Sequence, residues 1–561
     1  MSYDLLIKGG TVVDGSGDDR FRADIAIDSD RIVGIGKNLG PSKRTINAEG
    51  KLVTPGFVDI HTHLDAQIAW DPIASSSCFH GVTSVVLGNC GVTFAPCKPE
   101  DRDYLARLME SVEDIPANSI HAGLPWNWET YGEYLDSLEA MDKGVNVGGM
   151  VGHCAVRYHA MGERSLDEAP ASDDDLKKIT SLVDEAIGSG ALGFSTSRTF
   201  MHRVPDGRFV PGTHADSSEM LAIGSVMGRH GKGVFEAAAR LGERDAEDLP
   251  NTRAEIAWMG EVSRLNNLNL TFGLVHSFRR PELYKRVIEF VEEENVKGAF
   301  LRPQTTSRGV GGLFALDHRT PFDGSASWKM LKDKSFTDRL AMLEDESVRS
   351  SLCSLDVEPQ LNFDISYLLF DDAVDYRHEY ENSLTAHARR MGMSPVEAFV
   401  QLNRQHKGRV VIYHPALNQS MEAIEEMLVN PTVAMGLADS GAHVGQIMDA
   451  SSPTWLLSYW VRERGVLSVE EAIRGWTSDT ANLFGVKDRG TLKEGAYADV
   501  NVIDLDNLAI DLPEYKHDFP GGAGRYVQTG RGYDFVLVNG QVFMESGEHS
   551  GALSGCLLYT S

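Results

Sequence analysis

The chain has 561 residues, and 53 Lys and Arg against 81 Asp and Glu leave a formal net charge of −28 at pH 7. A chain this acidic lacks the contiguous basic field that phosphate backbones and anionic bilayers require, so nucleic-acid and membrane partners are disfavoured. Hydrophobic residues at 42% and charged residues at 24% also exclude a disordered or fibrous chain.

The N-terminus, Met1-Ser-Tyr-Asp-Leu-Leu-Ile-Lys-Gly-Gly, alternates in polarity and lacks the basic and apolar regions of a signal peptide. No window approaches the roughly 20 apolar residues of a spanning helix, so the expected compartment is the cytoplasm. Six cysteines, Cys78, Cys90, Cys97, Cys154, Cys353 and Cys556, are too sparse for a disulfide framework. The first fifty residues read as short strands, Leu5 to Lys8, Thr11 to Asp14, Ala23 to Ile27 and Arg31 to Ile35, broken by Gly-rich turns. The far end answers them with Ala498 to Asp504 and with Tyr533 to Val538 before the hairpin pair Asn539-Gly540. Together these predict one small β domain assembled from both termini, residues 1–54 plus 485–561.

Between them, in residues 55–484, apolar β-rich runs alternate with helical patterns, the signature of parallel βα units. The runs are Phe57 to His63, Val82 to Cys90, Val145 to His153, Ala191 to Ser197, Gly233 to Ala237, Leu268 to His276, Val296 to Gln304 and Val433 to Asp439. Eight is the number that a (β/α)8 TIM barrel needs. Ser172, followed by Asp173, Asp174 and Asp175, predicts the start of a helix whose apolar positions Leu176, Ile179, Leu182, Val183, Ala186 and Ile187 keep helical spacing. Pro281 to Glu294 predicts another. The stretch at 314–427 is too long for one connection and predicts an insertion. The last residues, 555–561, carry no pattern and read as a frayed tail with Cys556 an inert surface thiol.

Barrel active sites lie at the C-terminal ends of the strands, which here carry His61 and His63, Cys90, His153, Ser195-Thr196-Ser197, Glu236, His276, Arg302 and Asp439. His61 and His63 are two apart on a strand, so both imidazoles face one side and can chelate one ion. Asp439 ends an apolar strand and needs a partner, either a metal or a donor-rich loop, unless it caps the next helix. Cys90, in Gly88-Asn-Cys-Gly91, can bring a thiolate close to an ion or be a buried apolar residue. His276 is either a ligand or a core histidine.

The run Val53-Thr-Pro-Gly-Phe-Val-Asp-Ile-His-Thr-His63, with Gly88-Asn-Cys-Gly91, Val151-Gly-His153 and Gly193-Phe-Ser-Thr196, resembles the amidohydrolase superfamily and more narrowly its D-aminoacylase (N-acyl-D-amino-acid deacylase) branch. Ala472-Ile-Arg-Gly-Trp-Thr-Ser478, Asp488-Arg-Gly490 and Glu494-Gly-Ala-Tyr-Ala-Asp-Val500 extend the resemblance to nearly the whole chain. It implies a barrel with a small β-sandwich, one or two Zn2+ ions, and His61, His63, Cys90, His276 and Asp439 as ligands. The cysteine takes the place of the carboxylated lysine of hydantoinase-type relatives, and the third run has no lysine near its end. Two departures stand out. Leu64 replaces the branch's tyrosine, and the fifth run, Gly233-Val-Phe-Glu-Ala-Ala-Ala-Arg240, carries Glu236 where the branch delivers a histidine, leaving Glu236 a ligand or a substrate contact.

The chemistry so implied is hydrolysis of an N-acyl-D-amino acid by metal-activated water, with Asp439 shuttling the proton and His153 either steadying the oxyanion or serving the core. A substrate carboxylate calls for arginine; Arg157, Arg198, Arg302 and Arg308 are candidates, with Arg279 and Arg280 favoured beside His276. Ser195, Trp126, Trp128 and Phe314 are candidate pocket walls. A carbamate, aryl amide or cyclic amide substrate, or a barrel that only binds, are the alternatives. Homo-oligomerisation is also expected to be open to such a barrel.

Overall fold

A computed structural model describes residues 2–370 and 374–559. The eight apolar runs form barrel strands β1 (Phe57–Asp59), β2 (Val82–Leu87), β3 (Asn146–Gly152), β4 (Gly193–Ser197), β5 (Val234–Ala238), β6 (Asn269–Gly273), β7 (Phe300–Thr305) and β8 (Ala434–Met435). Each pairs in parallel with the next. Their nearly unbroken burial follows from having the barrel interior on one face and helices on the other.

Beyond β1 and β8 the chain closes the ring. The Asp439 amide donates to the His61 carbonyl at 3.0 Å, and the His63 amide donates to the Ser440 carbonyl at 2.7 Å. That closure brings both histidines and the aspartate, about 380 residues apart in sequence, to one rim. Asp439 sits at φ 54°, a left-handed conformation that aspartate tolerates better than most non-glycine residues.

Two helices show how the outer layer is cued. Helix α1 (Arg102–Glu113) turns Leu105, Leu108, Met109 and Val112 inward. Helix α2 (Asp173–Ser189) begins at the predicted Ser172, whose side chain and that of Asp175 cap each other's backbone amides, and it buries Ile179, Val183, Ala186 and Ile187. Such a capping box contributes about 1 kcal/mol.

Strands from the two ends of the chain share one nine-stranded sheet, joined where Leu52–Pro55 pairs antiparallel with Val500–Ile503. Its core includes Ile25, Val53, Val500 and Leu537. The two short runs expected at Leu5 to Lys8 and Thr11 to Asp14 are instead one strand, Tyr3–Val12, with a register shift between Ile7 and Gly10. Gly9, at φ 74°, absorbs the irregularity without ending the strand.

The insertion builds a three-stranded antiparallel sheet from Val310–Ala315, Tyr367–Leu369 and Val411–Leu417. Helices cover it, and Trp328, Phe399 and Ile412 fill its core.

The C-terminal tail departs from expectation as far as it is described; Thr560 and Ser561 lie outside the described residues. Gly555 to Leu558 dock along β3, with the Val147 amide donating to the Cys556 carbonyl at 2.9 Å and the Leu558 amide to the Val147 carbonyl at 2.7 Å. Leu557 and Leu558 are buried, and the Arg489 guanidinium lies 3.1 Å from the half-buried Cys556 Sγ. A short apolar tail carries no periodicity, so only the groove it fills reveals its place. All six cysteines are free thiols, and among the described residues no helix is long and apolar enough to cross a membrane.

Candidate metal centre

The site grows from three turns. Just past β1, His61 and His63 are both buried, with ring centroids 5.6 Å apart. Past β2, Cys90 stands at φ 54° between Gly88 and Gly91, both also at positive φ. Glycine is needed on each side, because a Cβ on Gly88 would lie 2.2 Å from the Met150 carbonyl oxygen and one on Gly91 2.6 Å from the Ser197 amide nitrogen. Asn89 ties this turn to the segment past β1 by donating to the Thr62 carbonyl at 3.2 Å, and to β2 by donating to the Val86 carbonyl at 3.0 Å. Past β8 comes Asp439.

The donor atoms of His61, His63 and Cys90 all lie within 4.8 Å of one another. Cys90 Sγ is 3.4 Å from His61 Nε2. Asp439 Oδ1 is 3.1 Å from His63 Nε2 and 3.5 Å from His61 Nε2. Glu236 adjoins them from β5, its Oε2 accepting from the Cys90 amide at 2.9 Å. Its Oε1 is buried without a hydrogen-bond partner, as are His61 Nδ1 and both ring nitrogens of His63. Leaving a buried polar atom unpaired costs about 1–3 kcal/mol, and a cation among these donors would relieve that cost at His63 Nε2 and Glu236 Oε1. A tetrahedral zinc-type ion takes sulfur, imidazole and carboxylate donors together, so the residues fit such an ion.

The electrostatics agree. Burial pushes the Glu236 carboxyl up to about 8, against the opposing pull of the Cys90 amide. Burial also raises the Cys90 thiol and lowers His61 to about 4. For Asp439, burial acts upward, but contact with His63 and the charges of His63, His61 and His443 outweigh it and hold the carboxyl below the usual range. Burial would lower His63, yet Glu113 and Asp439 lift it to about 10. In the metal-free protein His63 therefore keeps a proton against Asp439, in the position a metal cation would take.

The structure gathers some of the sequence-derived candidates and sets others apart. His276 lies three residues past the end of β6 and outside the group of converging donors. Its ring packs edge-on against Phe278 and Tyr284, and its backbone is tied to Asn418. His153 is fully buried with both ring nitrogens engaged, Nδ1 2.8 Å from Thr196 Oγ1 and Nε2 2.8 Å from Glu219 Oε1, so it has no free atom for an oxyanion. Ser195 is likewise fully buried; it donates to the Gly88 carbonyl and accepts from the Gly91 amide at 3.0 Å, supporting the Cys90 turn instead of lining a pocket. Trp128 is buried, donates to the Phe94 carbonyl at 2.8 Å and packs on Tyr134; Trp126 packs edge-on against Phe94. Phe314 packs against the insertion's own core.

The arginines divide similarly. Arg157 pairs with Glu219, Arg198 with Glu255, and Arg308 with Asp449. Arg302 is the third residue of β7, not its end. Arg280 donates to the Asp245 and Ala246 carbonyls. Arg279 is exposed beside Phe278, itself 53% exposed, on the loop after β6.

Sequence reasoning missed Glu113 and His443. Glu113, only 2% exposed, brings Oε1 to 3.6 Å from His63 Nδ1 and Oε2 to 3.9 Å from His443 Nε2. One signal was available: Glu113 lies four residues after Met109 and so extends the buried stripe of α1, where a carboxylate needs a partner. His443 had no such signal, since it lies in an irregular loop at φ 48°.

The profile described as "Amidohydrolase family" matches residues 44–361 and 368–544. An uncharacterised protein of Mycobacterium tuberculosis is 27% identical over 96% of this chain and 93% of its own length. The N-acyl-D-glutamate deacylase of Alcaligenes xylosoxydans xylosoxydans is 27% identical over the same shares of the two chains. The D-aminoacylase of that organism is 32% identical over 42% of this chain and 44% of its own. Among solved structures, a D-aminoacylase aligns with a TM-score of 0.66 at 21% identity, covering 99% of this chain and 100% of the other. The N-acyl-D-glutamate deacylase of Bordetella bronchiseptica, complexed with zinc and a phosphonate inhibitor, aligns with 0.66 at 22% over 100% of both.

Proposed function

Because this chain belongs to the amidohydrolase family and is a metal-dependent amide hydrolase acting on a small molecule, we propose that its metal is zinc and its substrate an N-acyl-D-amino acid. The observation that carries the reading is the convergence of His61, His63 and Cys90 with Asp439 at the point where the barrel closes. The deacylases that align along nearly the full length support the substrate class.

His61, His63, Cys90 and Asp439 would hold the ion, with Glu236 Oε1 the next oxygen available to it. Bound there, it would supply an activated water and a polarised scissile carbonyl. The remaining work belongs to the chain. Asp439, held ionised by its histidine neighbours, accepts the proton of the attacking water and returns it to the amine nitrogen, which leaves poorly unprotonated. Arg279, exposed on the loop after β6, is the guanidinium suited to the substrate carboxylate. Phe278 beside it offers apolar surface to the acyl chain or side chain.

Elemental analysis of purified protein, together with release of free amino acid from matched N-acetyl-D and N-acetyl-L substrates, tests this reading. Zinc with D-selective release, the release lost in Asp439→Asn, is the expected result. Zinc without release moves the substrate to carbamates, aryl amides or cyclic amides. Absence of both metal and turnover after remetallation overturns the reading and leaves a binding module.

A further inference from the structure

The last residue of α1, Glu113, is in an unfavourable place by local rules. A carboxylate at a helix C-terminus opposes the helix dipole, and a side chain 3% exposed loses its hydration. Nothing in α1 compensates either cost. What Glu113 meets instead comes from two distant parts of the barrel rim. Its Oε1, without a hydrogen-bond partner, lies 3.6 Å from His63 Nδ1, which also has none. Its Oε2 lies 3.9 Å from His443 Nε2. Its backbone carbonyl accepts from the His443 amide at 2.5 Å, and the next residue, Asp114, accepts from the Gln446 side chain at 3.1 Å. The end of α1 thus grips the loop that begins at Asp439 while its carboxylate faces the outer nitrogen of His63.

From this arrangement we propose that Glu113 is a positioning residue: it fixes His63 with the proton on Nδ1 and Nε2 turned to the metal, and ties the loop bearing Asp439 to the same histidine. A ligating imidazole offers one nitrogen to the ion and needs an acceptor for the N–H on the other, which both orients the ring and increases its basicity. His63 Nε2 already faces Asp439 Oδ1 at 3.1 Å, so the nitrogen left for an outer acceptor is Nδ1, and Glu113 is the carboxylate that stands there. The two unpartnered atoms are within about half an ångström of hydrogen-bond range, a gap that a small ring rotation closes. The inference rests on the metal-site reading above.

The test is metal affinity, read separately from turnover. Metal-free wild type, Glu113→Gln and Glu113→Ala are titrated with Co2+ and Zn2+ against a chelator of known affinity, with the Co2+ visible spectrum and the melting temperature of each metal-free protein recorded alongside. Outer-sphere partners of this kind are worth roughly 10–100-fold in metal affinity. Glu113→Ala should lose about that factor, and Glu113→Gln, which keeps an acceptor but not the charge, should fall between it and wild type. The cobalt spectrum should shift in the same order. Wild-type affinity and spectrum in both variants would overturn the inference while leaving the metal site intact. A lowered melting temperature with unchanged affinity would also overturn it, by reducing Glu113 to a helix-packing role. If wild type itself binds neither ion, the metal-site reading and this inference fall together. Should Glu113→Ala not fold, the nearly isosteric Gln variant decides alone.

Discussion

Two buried histidine clusters stand at the mouth of this barrel, and they are built in opposite ways. Around His153, just past β3, both ring nitrogens are taken by Thr196 and Glu219, and Glu219 is shared with Arg157. Around His61 and His63, just past β1, nitrogens, a thiol and carboxylate oxygens crowd together while several lack any hydrogen-bond partner. Burial is equally deep in both, so burial does not separate them. Their polar atoms are met differently: both nitrogens of His153 are engaged, whereas His61 Nδ1, His63 Nδ1 and Nε2, and Glu236 Oε1 have no hydrogen-bond partner.

Variants in each cluster sharpen that contrast. The largest effect is expected from Asp439→Asn, which removes the proposed proton carrier and metal ligand together and should lower kcat by about 10²–10⁴-fold in steady-state assays. In the closed cluster, Glu219→Ala leaves the Arg157 guanidinium buried without its carboxylate. That should cost roughly 3–5 kcal/mol in denaturant unfolding, with the metal content of the folded protein unchanged. A loss of metal there would break the comparison.

The open cluster should also respond to pH with a definite sign. In the metal-free protein His63 is held protonated up to about 10, and burial raises the Cys90 thiol. Both protons are present at neutral pH and both must leave for the metal to bind. Affinity should therefore rise with pH, by roughly 100-fold per unit between pH 6 and 8 for two protons released. Chelator competition at three pH values checks this, and a flat profile would remove His63 and Cys90 from the ligand set. The smallest effect is expected at the rim. Arg279→Ala should raise KM about tenfold, as the loss of one exposed charge-assisted contact, with kcat nearly unchanged.

Much of this was legible in the chain. The eight apolar runs announced the barrel because strands buried on both faces cannot hide their composition. The Ser172 cap marked the start of α2, and the spacing of His61 and His63 marked two imidazoles whose donors converge. The ends of strands were harder to read. His153 and His276 each follow an apolar run, as Cys90 does, and Ser195 lies within one, yet only Cys90 points its donor into the group. A side chain's facing at a strand end depends on the turn that follows, and the turn at Cys90 depends on residues 196 and 197 approaching from β4. Tryptophans and arginines could not be sorted from sequence for a related reason: Trp128 and Arg157 are claimed by Phe94 and Glu219 from elsewhere in the chain.

Sequence alone determined the periodicity, the turn glycines, the paired histidines and the net negative charge, because these are set by residues near one another or by simple counts. Tertiary structure alone decided which polar groups were left unpaired. That is a property of meeting partners, and the partners here, Asp439 against His63 and Glu113 against both His63 and His443, are brought together only when the first and last barrel strands close the ring.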